Sequence, residues 1–458
     1  MTGGAEQSQT DTVPPSSIWR TGTLIVAGVI AALPFFLISD PVQARVLSVC
    51  GLTLVLWLGE PIPLYATTLV LWTAIVVLLG PLGEEYSMTA VFRWAADPIL
   101  ALFFGGFALG VAGEKYGIDT FIAGRMVLYA RGSRVRLLTN LMLGTAVLSM
   151  WMSNIAAVVM ILAALSPILK AMQPGDSFRV ALLLSVAFAA NLGGMATPIG
   201  TGSNGIAIGA LSQIRPITFL NWMYFALPLT MGLLSVAFVF LKVRYRVHGK
   251  LEIETAQTKA LSNSGKVVVA IFCIAVSGWL SEPVHGIPAA VISLGVSALL
   301  FGSGILGKDD LGKVDWGTLL LISGGLTFGQ VLHTSKLAEQ AVSALNLTQL
   351  HPTWVLLIFV CAAAMLASVA SNTAAAILFI QLATAAVPPE LTASTTVLVA
   401  LGASMGMPFV ISTPPNAMVY GKGGVGSLDL MIPGLILMTL GCGILVFTGP
   451  AVLRLFGF

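Results

Sequence analysis

The chain has 458 residues, of which 57% are hydrophobic and only 9% are charged, and its formal net charge is +3. Soluble globular domains carry about 25% charged residues, so this composition indicates an all-α polytopic membrane protein. A transmembrane β-barrel is excluded because its strands alternate in polarity, whereas the apolar runs here are continuous. The small net charge gives no sign of a nucleic-acid partner, and no HExxH motif points to an enzyme.

The N-terminal residues 1–17 are polar and contain two prolines, so we expect a disordered cytoplasmic tail. No basic region precedes the first apolar run, which favours a retained span over a cleaved signal; residues 18–45 are predicted to add a first transmembrane helix. A helix needs about 20 apolar residues to cross the bilayer. The runs suited to this are 21–39, 46–59, 64–80, 97–113, 178–210, 219–241, 267–281, 287–303, 316–335, 394–420 and 428–455.

A Ser-Asn pair interrupts each of two further apolar stretches, 137–170 and 353–387. Each pair is followed by a stretch that glycine and proline break and that ends in asparagine, Gly193–Asn204 in the first half and Gly406–Asn416 in the second. The two serines of the pairs are 218 residues apart, and the two final asparagines are 212 residues apart. Polar amides and helix breakers at matching places in two halves indicate the binding site of a transporter.

The basic loops orient the chain, because cytoplasmic loops carry an excess of lysine and arginine. We expect the cytoplasmic side to hold the arginine cluster at 131–136, the loop 242–266, Lys308, Lys313 and Lys422. Residues 137–170 run between two basic flanks, so this segment is predicted to return to its starting side as a re-entrant hairpin. The same reasoning makes 353–387 a hairpin that enters from the outside.

The chain therefore divides into two inverted repeats, 46–241 and 267–458, joined by the cytoplasmic linker 242–266. The predicted fold has about 11 transmembrane helices plus the two re-entrant hairpins. We expect an integral protein of the inner (plasma) membrane, with its N-terminus in the cytoplasm and its C-terminus outside.

The broken helices indicate what such a site binds. Helix N-termini offer free N–H groups and partial positive charge to an anion, and unwound carbonyls suit Na⁺. The motif stretches contain no Asp, Glu, Lys or Arg, whereas a proton pump usually places carboxylates in its spans. We therefore expect a small anion bound by helix dipoles and co-bound cations. A passive anion channel, which would use the same dipoles without coupling-ion sites, stays open as an alternative.

Together these motifs resemble the divalent anion/sodium symporter family, the dicarboxylate, citrate and sulfate carriers. The likeness rests on the two Ser-Asn pairs, on Gly193–Thr197 and on Thr413–Gly421. It implies a secondary active transporter that couples a small anionic substrate to Na⁺ and needs no other cofactor. It also implies a homodimer and an elevator-type movement of a transport domain against a fixed scaffold domain.

The resemblance further implies the site residues. Substrate contacts are expected at Asn154, Ile155, Thr201, Asn372, Thr373, Thr413 and Pro414. One Na⁺ site is expected at Ser149, Ser153, Asn154 and Gly200, and the other at Ala370, Ser371, Asn372 and Ser412.

Three positions depart from the family pattern. Ile155 stands where the family has threonine, Ala367 stands where a hydroxyl often helps to hold the second Na⁺, and Gly202-Ser203 replaces an expected Pro-Pro. These differences preserve the anion class but leave the exact substrate open. They also keep a Na⁺-independent anion exchanger as an alternative.

Overall fold

The computed structural model describes residues 17–173, 176–212, 214–251 and 260–456. Within these ranges the chain is helical and contains no β-strand, in agreement with the predicted fold class. Nearly all of the predicted tail, and residues 252–259 in the middle of the predicted linker, lie outside the described residues. The chain forms two compact units, residues 1–91 and 92–458.

The first unit contains the N-terminal apolar helices. These are α1 (Ser17–Ala32), α2 (Pro34–Leu37), α3 (Pro41–Gly59) and α4 (Leu64–Ala74). Pro41 suits the first turn of α3, where its missing N–H would have no helical partner, and Asp40 caps this helix by accepting a hydrogen bond from the Val42 N–H at 2.9 Å. Helix α4 continues into a π-helical turn, Ile75–Leu79.

The second unit contains both motif regions. Helix α5 (Met88–Ala95) crosses the border between the units. The helices that follow are α6 (Pro98–Lys115), α7 (Ile118–Tyr129), α8 (Arg134–Trp151), α9 (Asn154–Lys170), α10 (Ser177–Met195), α11 (Gly202–Leu211), α12 (Phe219–Arg244), α13 (Asn263–Leu280), α14 (Glu282–His285), α15 (Ala289–Gly302), α16 (Lys308–Leu311), α17 (Trp316–Thr334), α18 (Leu337–Ala344), α19 (Pro352–Ala367), α20 (Asn372–Ala385), α21 (Thr392–Ala403), α22 (Pro414–Gly421), α23 (Ser427–Phe447) and α24 (Gly449–Leu455).

Eight helical segments in the described part of the chain are long and apolar enough to cross a membrane. Four more apolar helices, α9, α15, α19 and α20, are shorter, at 10–17 residues. The protein is therefore an all-α polytopic membrane protein. The number of crossings and the direction of each crossing stay predictions.

The helices of the motif regions end where the sequence predicts an interruption. The stretch 137–170 divides into α8 and α9 around a two-residue turn, and 353–387 divides into α19 and α20 around a four-residue turn. The stretches 178–210 and 394–420 are likewise broken, into α10 and α11 and into α21 and α22. A helical hairpin followed by a broken helix therefore occurs once in each half.

Five short helices, α5, α7, α14, α16 and α18, lie outside the apolar runs predicted from the sequence. Helices α7 and α18 each begin directly after a long apolar helix, at a residue with left-handed backbone, Gly117 with φ 68° and Lys336 with φ 56°. A left-handed residue ends one helix and redirects the chain into the next. Each of these two helices thus connects a long apolar helix to a Ser-Asn hairpin, and they occupy equivalent places in the two halves.

Two contacts join basic segments that the charge pattern assigns to the cytoplasm. Ser133 forms an isolated antiparallel bridge with Lys250, which brings the 131–136 cluster next to the start of the linker. The Arg179 guanidinium donates a hydrogen bond to the Lys422 carbonyl at 2.9 Å. Segments predicted to share one side of the membrane are therefore neighbours. Which side is cytoplasmic stays a prediction.

Asp310 forms a third contact between basic segments. Its carboxylate lies 2.6 Å from the Lys115 ammonium at the end of α6 and 3.4 Å from the Lys313 ammonium, and it accepts a hydrogen bond from the Gly307 N–H at 2.9 Å. The Gly307 N–H and the two ammonium groups lower the pKa of Asp310 to about 2. The end of α6 is thereby tied to the loop that leads into α17.

Candidate functional site

The first Ser-Asn motif forms the turn between α8 and α9. Ser153 has an extended backbone and caps α9, because its hydroxyl accepts a hydrogen bond from the Ala156 N–H at 3.2 Å. Asn154 is the first residue of α9, so its amide lies at the helix end where the first-turn N–H groups have no helical partner. Ile155 is 37% exposed, so its side chain is not packed into the interior.

The second Ser-Asn motif forms the turn between α19 and α20. Ser371 occupies the N-cap position of α20, but its side chain makes no capping hydrogen bond. The Asn372 Oδ1 atom is buried and has no hydrogen-bond partner among the described residues. Leaving a buried acceptor unsatisfied costs free energy, so such an atom is a candidate for binding a ligand.

The same pattern of hydrogen bonds closes the break in both broken helices. The buried Asn204 amide donates to the carbonyls nine and seven residues earlier, Met195 at 3.4 Å and Thr197 at 2.8 Å. The buried Asn416 amide donates to the carbonyls at the same two spacings, at 2.9 and 2.8 Å. In each half the final asparagine of the motif therefore closes the loop that unwinds the helix.

A threonine precedes the helix that follows each break, and both threonines have nearly the same backbone conformation. Thr201 has φ −150° and ψ 150°, and Thr413 has φ −145° and ψ 148°. The Thr413 hydroxyl accepts a hydrogen bond from the Asn416 N–H at 3.3 Å, whereas the Thr201 hydroxyl does not cap and lies 3.3 Å from the Ser203 hydroxyl. Helix α11 packs against α20, and α22 packs against α9, so each broken helix meets the hairpin of the other half.

Three oxygen atoms converge beside the first hairpin turn. The fully buried Ser149 hydroxyl lies 2.6 Å from Asn154 Oδ1 and 2.7 Å from the Ala190 carbonyl oxygen. A hydroxyl has one hydrogen and cannot fully satisfy two acceptors. A Cβ atom on Gly194 would lie 2.6 Å from Asn154 Oδ1 and 3.0 Å from the Gly200 carbonyl oxygen, so only glycine allows this approach. Oxygen atoms grouped in this way beside a helix end suit a cation.

In both halves the broken helix is bonded to the hairpin turn by a hydroxyl. The Thr197 hydroxyl donates to the Met150 carbonyl, and the Ser412 hydroxyl donates to the Ser368 carbonyl at 2.6 Å. The two acceptors are 218 residues apart, as are the two Ser-Asn pairs. The accepting carbonyls therefore occupy equivalent positions in the two hairpins, whereas the donating hydroxyls occupy different positions in the two breaks.

The second half lacks the hairpin hydroxyl that Ser149 supplies in the first. Its equivalent, Ala367, is completely buried, and Gly406 packs against its methyl group. In the second half the hydroxyl next to the hairpin turn comes instead from Ser412, which stands where the first half has Gly200.

Gly202, in the break of the first half, lies next to Thr373 in the hairpin of the second half. A Cβ atom at this position would lie 2.5 Å from the Thr373 hydroxyl oxygen, so a proline here would collide with that side chain. The departure from Pro-Pro therefore has a steric reason, because glycine lets Thr373 approach the start of α11.

Two further contacts between the halves were not expected from the sequence. The buried Asn191 amide donates to Asn416 Oδ1 at 3.1 Å, and the Ser203 and Ser404 hydroxyl oxygens are 3.2 Å apart. Asn191 lies two residues before Gly193, and the signal that could have identified it is a polar amide in an otherwise apolar run.

The predicted substrate residues differ in exposure. Thr373 and Thr413 are buried, Asn154, Thr201 and Asn372 are half-buried, and Ile155 and Pro414 are exposed. No charged residue occurs in the hairpin turns or in the breaks, segments 149–155, 190–204, 367–373 and 404–416. The polarity of this region therefore comes from hydroxyls, amides and peptide groups alone.

Two helical hairpins and two broken helices, present once in each half of a polytopic membrane chain, define a membrane transporter and not an enzyme. Comparison with known proteins agrees with this class. The citrate transporter family model matches residues 54–403, and the chain belongs to that family.

Individual relatives are transporters as well. The chain is 28% identical over 442 residues to an uncharacterized transporter of Haemophilus influenzae, covering 91% of this chain and 92% of that one. It is also 28% identical over 410 residues to the sodium-dependent dicarboxylate transporter SdcS of Staphylococcus saprophyticus, covering 81% and 78% of the two chains. The crystal structure of the Alcanivorax borkumensis YdaH transporter has a similar fold, with a TM-score of 0.54 at 16% identity over 78% of this chain and 85% of that one. The protein is thus a secondary transporter of the citrate/dicarboxylate family.

Proposed function

We propose that the protein is a Na⁺-coupled symporter that carries a small di- or tricarboxylate, or a sulfate-like anion, across the inner (plasma) membrane as a homodimer. The substrate contacts and the two Na⁺ sites are those implied by the family resemblance. Relatives at 28% identity are named sodium-dependent dicarboxylate transporters, which supports this choice of ion and anion.

The observation that carries the proposal is the oxygen cluster at the first hairpin turn. Ser149, Asn154 and Ala190 bring three oxygen atoms together, with the Ser149 hydroxyl oxygen 2.6 Å from Asn154 Oδ1 and 2.7 Å from the Ala190 carbonyl oxygen. Carbonyl and side-chain oxygens at an unwound helix are the usual ligands of a coupling Na⁺. Na⁺ at this place would satisfy all three oxygens and would offset the charge of an anion at the neighbouring helix N-termini.

An elevator movement requires an interface along which one group of helices slides on another. Helix α17 packs against α11 and α20 through glycines that face branched apolar side chains. A Cβ atom on Gly209 of α11 would lie 2.7 Å from Leu326 of α17, and one on Gly325 of α17 would lie 2.6 Å from Ile377 of α20. These apolar contacts involve no hydrogen bond between the helices at these positions, and we propose this interface as the one along which the movement occurs.

The test is uptake by purified protein in liposomes. Radiolabelled succinate, citrate and sulfate are supplied with an inward Na⁺ gradient or with choline in its place. Concentrative uptake that depends on the Na⁺ gradient supports symport. Simple equilibration of the anion would instead identify a channel, and counterflow that is unaffected by Na⁺ removal would identify an exchanger.

Matched variants assign the activity to the site. Asn154→Ala and Asn372→Ala each remove an amide from the proposed substrate and Na⁺ sites, and loss of a buried partner costs about 1–3 kcal/mol. Each variant should therefore reduce transport at least about tenfold without unfolding the protein. Normal transport by either folded variant would remove that amide from the proposed site.

A further inference from the structure

Arg179 is a buried positive charge with an unusual set of partners. It lies in the first turn of α10, is 9% exposed, and donates to the carbonyl oxygens of Lys422, at 2.9 Å, and Gly423. In the part of the chain that the structure describes, its Nε atom has no hydrogen-bond partner and both ion pairs belong to Asp310. Buried charges are normally paired with a charge of opposite sign, so the position of Arg179 requires an explanation.

The acidic side chains at the same ends of these elements have other partners. Asp176 accepts a hydrogen bond from the Phe178 N–H at 2.8 Å as the cap of α10. Asp429 accepts one from the Tyr245 hydroxyl at 2.7 Å. The hydrogen bonds that the Arg179 guanidinium donates therefore go to peptide carbonyls and not to a carboxylate.

These carbonyls lie at the C-terminal end of α22. Helix α22 has eight residues, Pro414–Gly421, and Lys422 is its C-cap. Its N-terminal end carries Thr413 and Pro414, two of the proposed substrate contacts. At 1.5 Å per residue the two ends are about 12 Å apart. The guanidinium therefore neutralises the negative end of a short helix whose positive end faces the proposed anion site.

We propose that Arg179 is the fixed counter-charge of the anion site and that it favours anions of higher charge from the far end of α22. This inference rests on the proposed function. It accounts for an anion site built without any charged residue of its own, since the positive charge acts through the helix and needs no contact with the substrate. With about 3 Å added at each end of the helix, the guanidinium lies about 18 Å from the anion, and a unit charge at that distance, at an effective dielectric constant of about 20, changes affinity about fivefold for each unit of ligand charge.

A purely structural role predicts a different result. If Arg179 only tethers α10 to α22, its loss loosens the site and weakens every ligand, whatever the charge of that ligand. A counter-charge instead acts with opposite sign on anions and cations. The sign of the effect on Na⁺ therefore separates the two roles.

The experiment measures binding to the full-length protein in nanodiscs, at constant ionic strength maintained with choline chloride. The probes are succinate, its monomethyl ester, and Na⁺ without added anion. We expect Arg179→Gln to weaken succinate binding about 25-fold and monomethyl succinate binding about fivefold, and to strengthen Na⁺ binding by up to about fivefold. Arg179→Lys keeps the charge and should stay within about threefold of the wild type for all three probes.

A second variant leaves the Arg179 side chain in place. Lys422 is exposed, and its backbone carbonyl accepts a hydrogen bond from Arg179. Lys422→Glu replaces its ammonium group with a carboxylate and keeps that carbonyl. At low ionic strength it should lower the preference for succinate over the ester about threefold, a smaller effect because surface charge is screened. Equal weakening of both anions by Arg179→Gln, weaker Na⁺ binding in that variant, or an unchanged preference in Lys422→Glu would overturn the inference. A wild-type protein that binds neither anion nor Na⁺ would instead refute the proposed function itself.

Discussion

Removal of the Ser149 hydroxyl tests the proposed Na⁺ site most directly. The hydroxyl lies 2.6 Å from Asn154 Oδ1 and 2.7 Å from the Ala190 carbonyl oxygen, and the residue is fully buried. Ser149→Ala therefore removes one of the proposed Na⁺ ligands. A hydrogen bond to a charged group is worth about 1.5–3 kcal/mol; if the lost ligand is worth as much to Na⁺, the Na⁺ affinity falls by roughly tenfold to a hundredfold.

The assay is the initial rate of succinate uptake into liposomes as a function of external Na⁺ concentration. In Ser149→Ala the Na⁺ concentration for half-maximal uptake should rise by that factor, while the maximal rate at saturating Na⁺ should fall less. The altered Na⁺ dependence is the diagnostic result, since a general loss of folded protein lowers the maximal rate only.

Ser185 provides the matched control. It lies on α10, it is as buried as Ser149, and its hydroxyl donates to the Leu182 carbonyl of its own helix at 2.7 Å. Ser185→Ala should leave the Na⁺ dependence unchanged. Ser149 is not a Na⁺ ligand if Ser149→Ala retains the wild-type Na⁺ dependence, or if Ser185→Ala shifts it equally.

Three further predictions address specificity, topology and stability. Ile155→Thr restores a hydroxyl beside Asn154 and should shift preference toward symmetric C4-dicarboxylates, because hydrogen-bonding sites reject ligands that lack the matching group; an unchanged ranking in competition assays would show that position 155 does not touch the substrate. Single cysteines at Lys250 and Glu390 should be labelled by an impermeant reagent from opposite sides of the membrane, and labelling of both from outside would contradict the inverted repeat. Asp310→Asn should lower the Tm by about 2–4 °C at pH 7. Because the pKa of Asp310 is about 2 in the folded protein and 3.8 ordinarily, its stabilisation is complete above about pH 4 and is lost as the pH falls toward 2, so the Tm difference should shrink over this range.

Much of the helical framework follows from the sequence because its causes are local. An apolar run of about 20 residues has few alternatives to a helix in a membrane, and the observed helices follow the predicted runs. The breaks were also predictable, since glycine, proline and polar amides interrupt an apolar helix wherever they occur together. The match between Asn204 and Asn416 is visible in the sequence, and in the structure both amides close the same loop.

Helix α7 could not be predicted from hydropathy. Its sequence contains Asp119 and Arg125 and reads as a polar connection. The helix begins from the left-handed Gly117 at the end of α6. A short helix of mixed polarity depends on tertiary packing for its stability, and hydropathy gives little sign of it.

The partners within the site were decided only by the tertiary structure. In the sequence, Ala367 stands where the family often has a hydroxyl. In the structure, the Ser412 hydroxyl bonds to Ser368 of the same hairpin turn, 44 residues away. Asn191 bonds to Asn416 across 225 residues, and Arg179 reaches the end of α22 across 243 residues. Hydropathy and helix breaking act between residues close in the chain, whereas the choice of acceptor for a hydroxyl, an amide or a guanidinium depends on which helices pack together. That packing is set by long-range contacts, which the sequence of one segment does not contain.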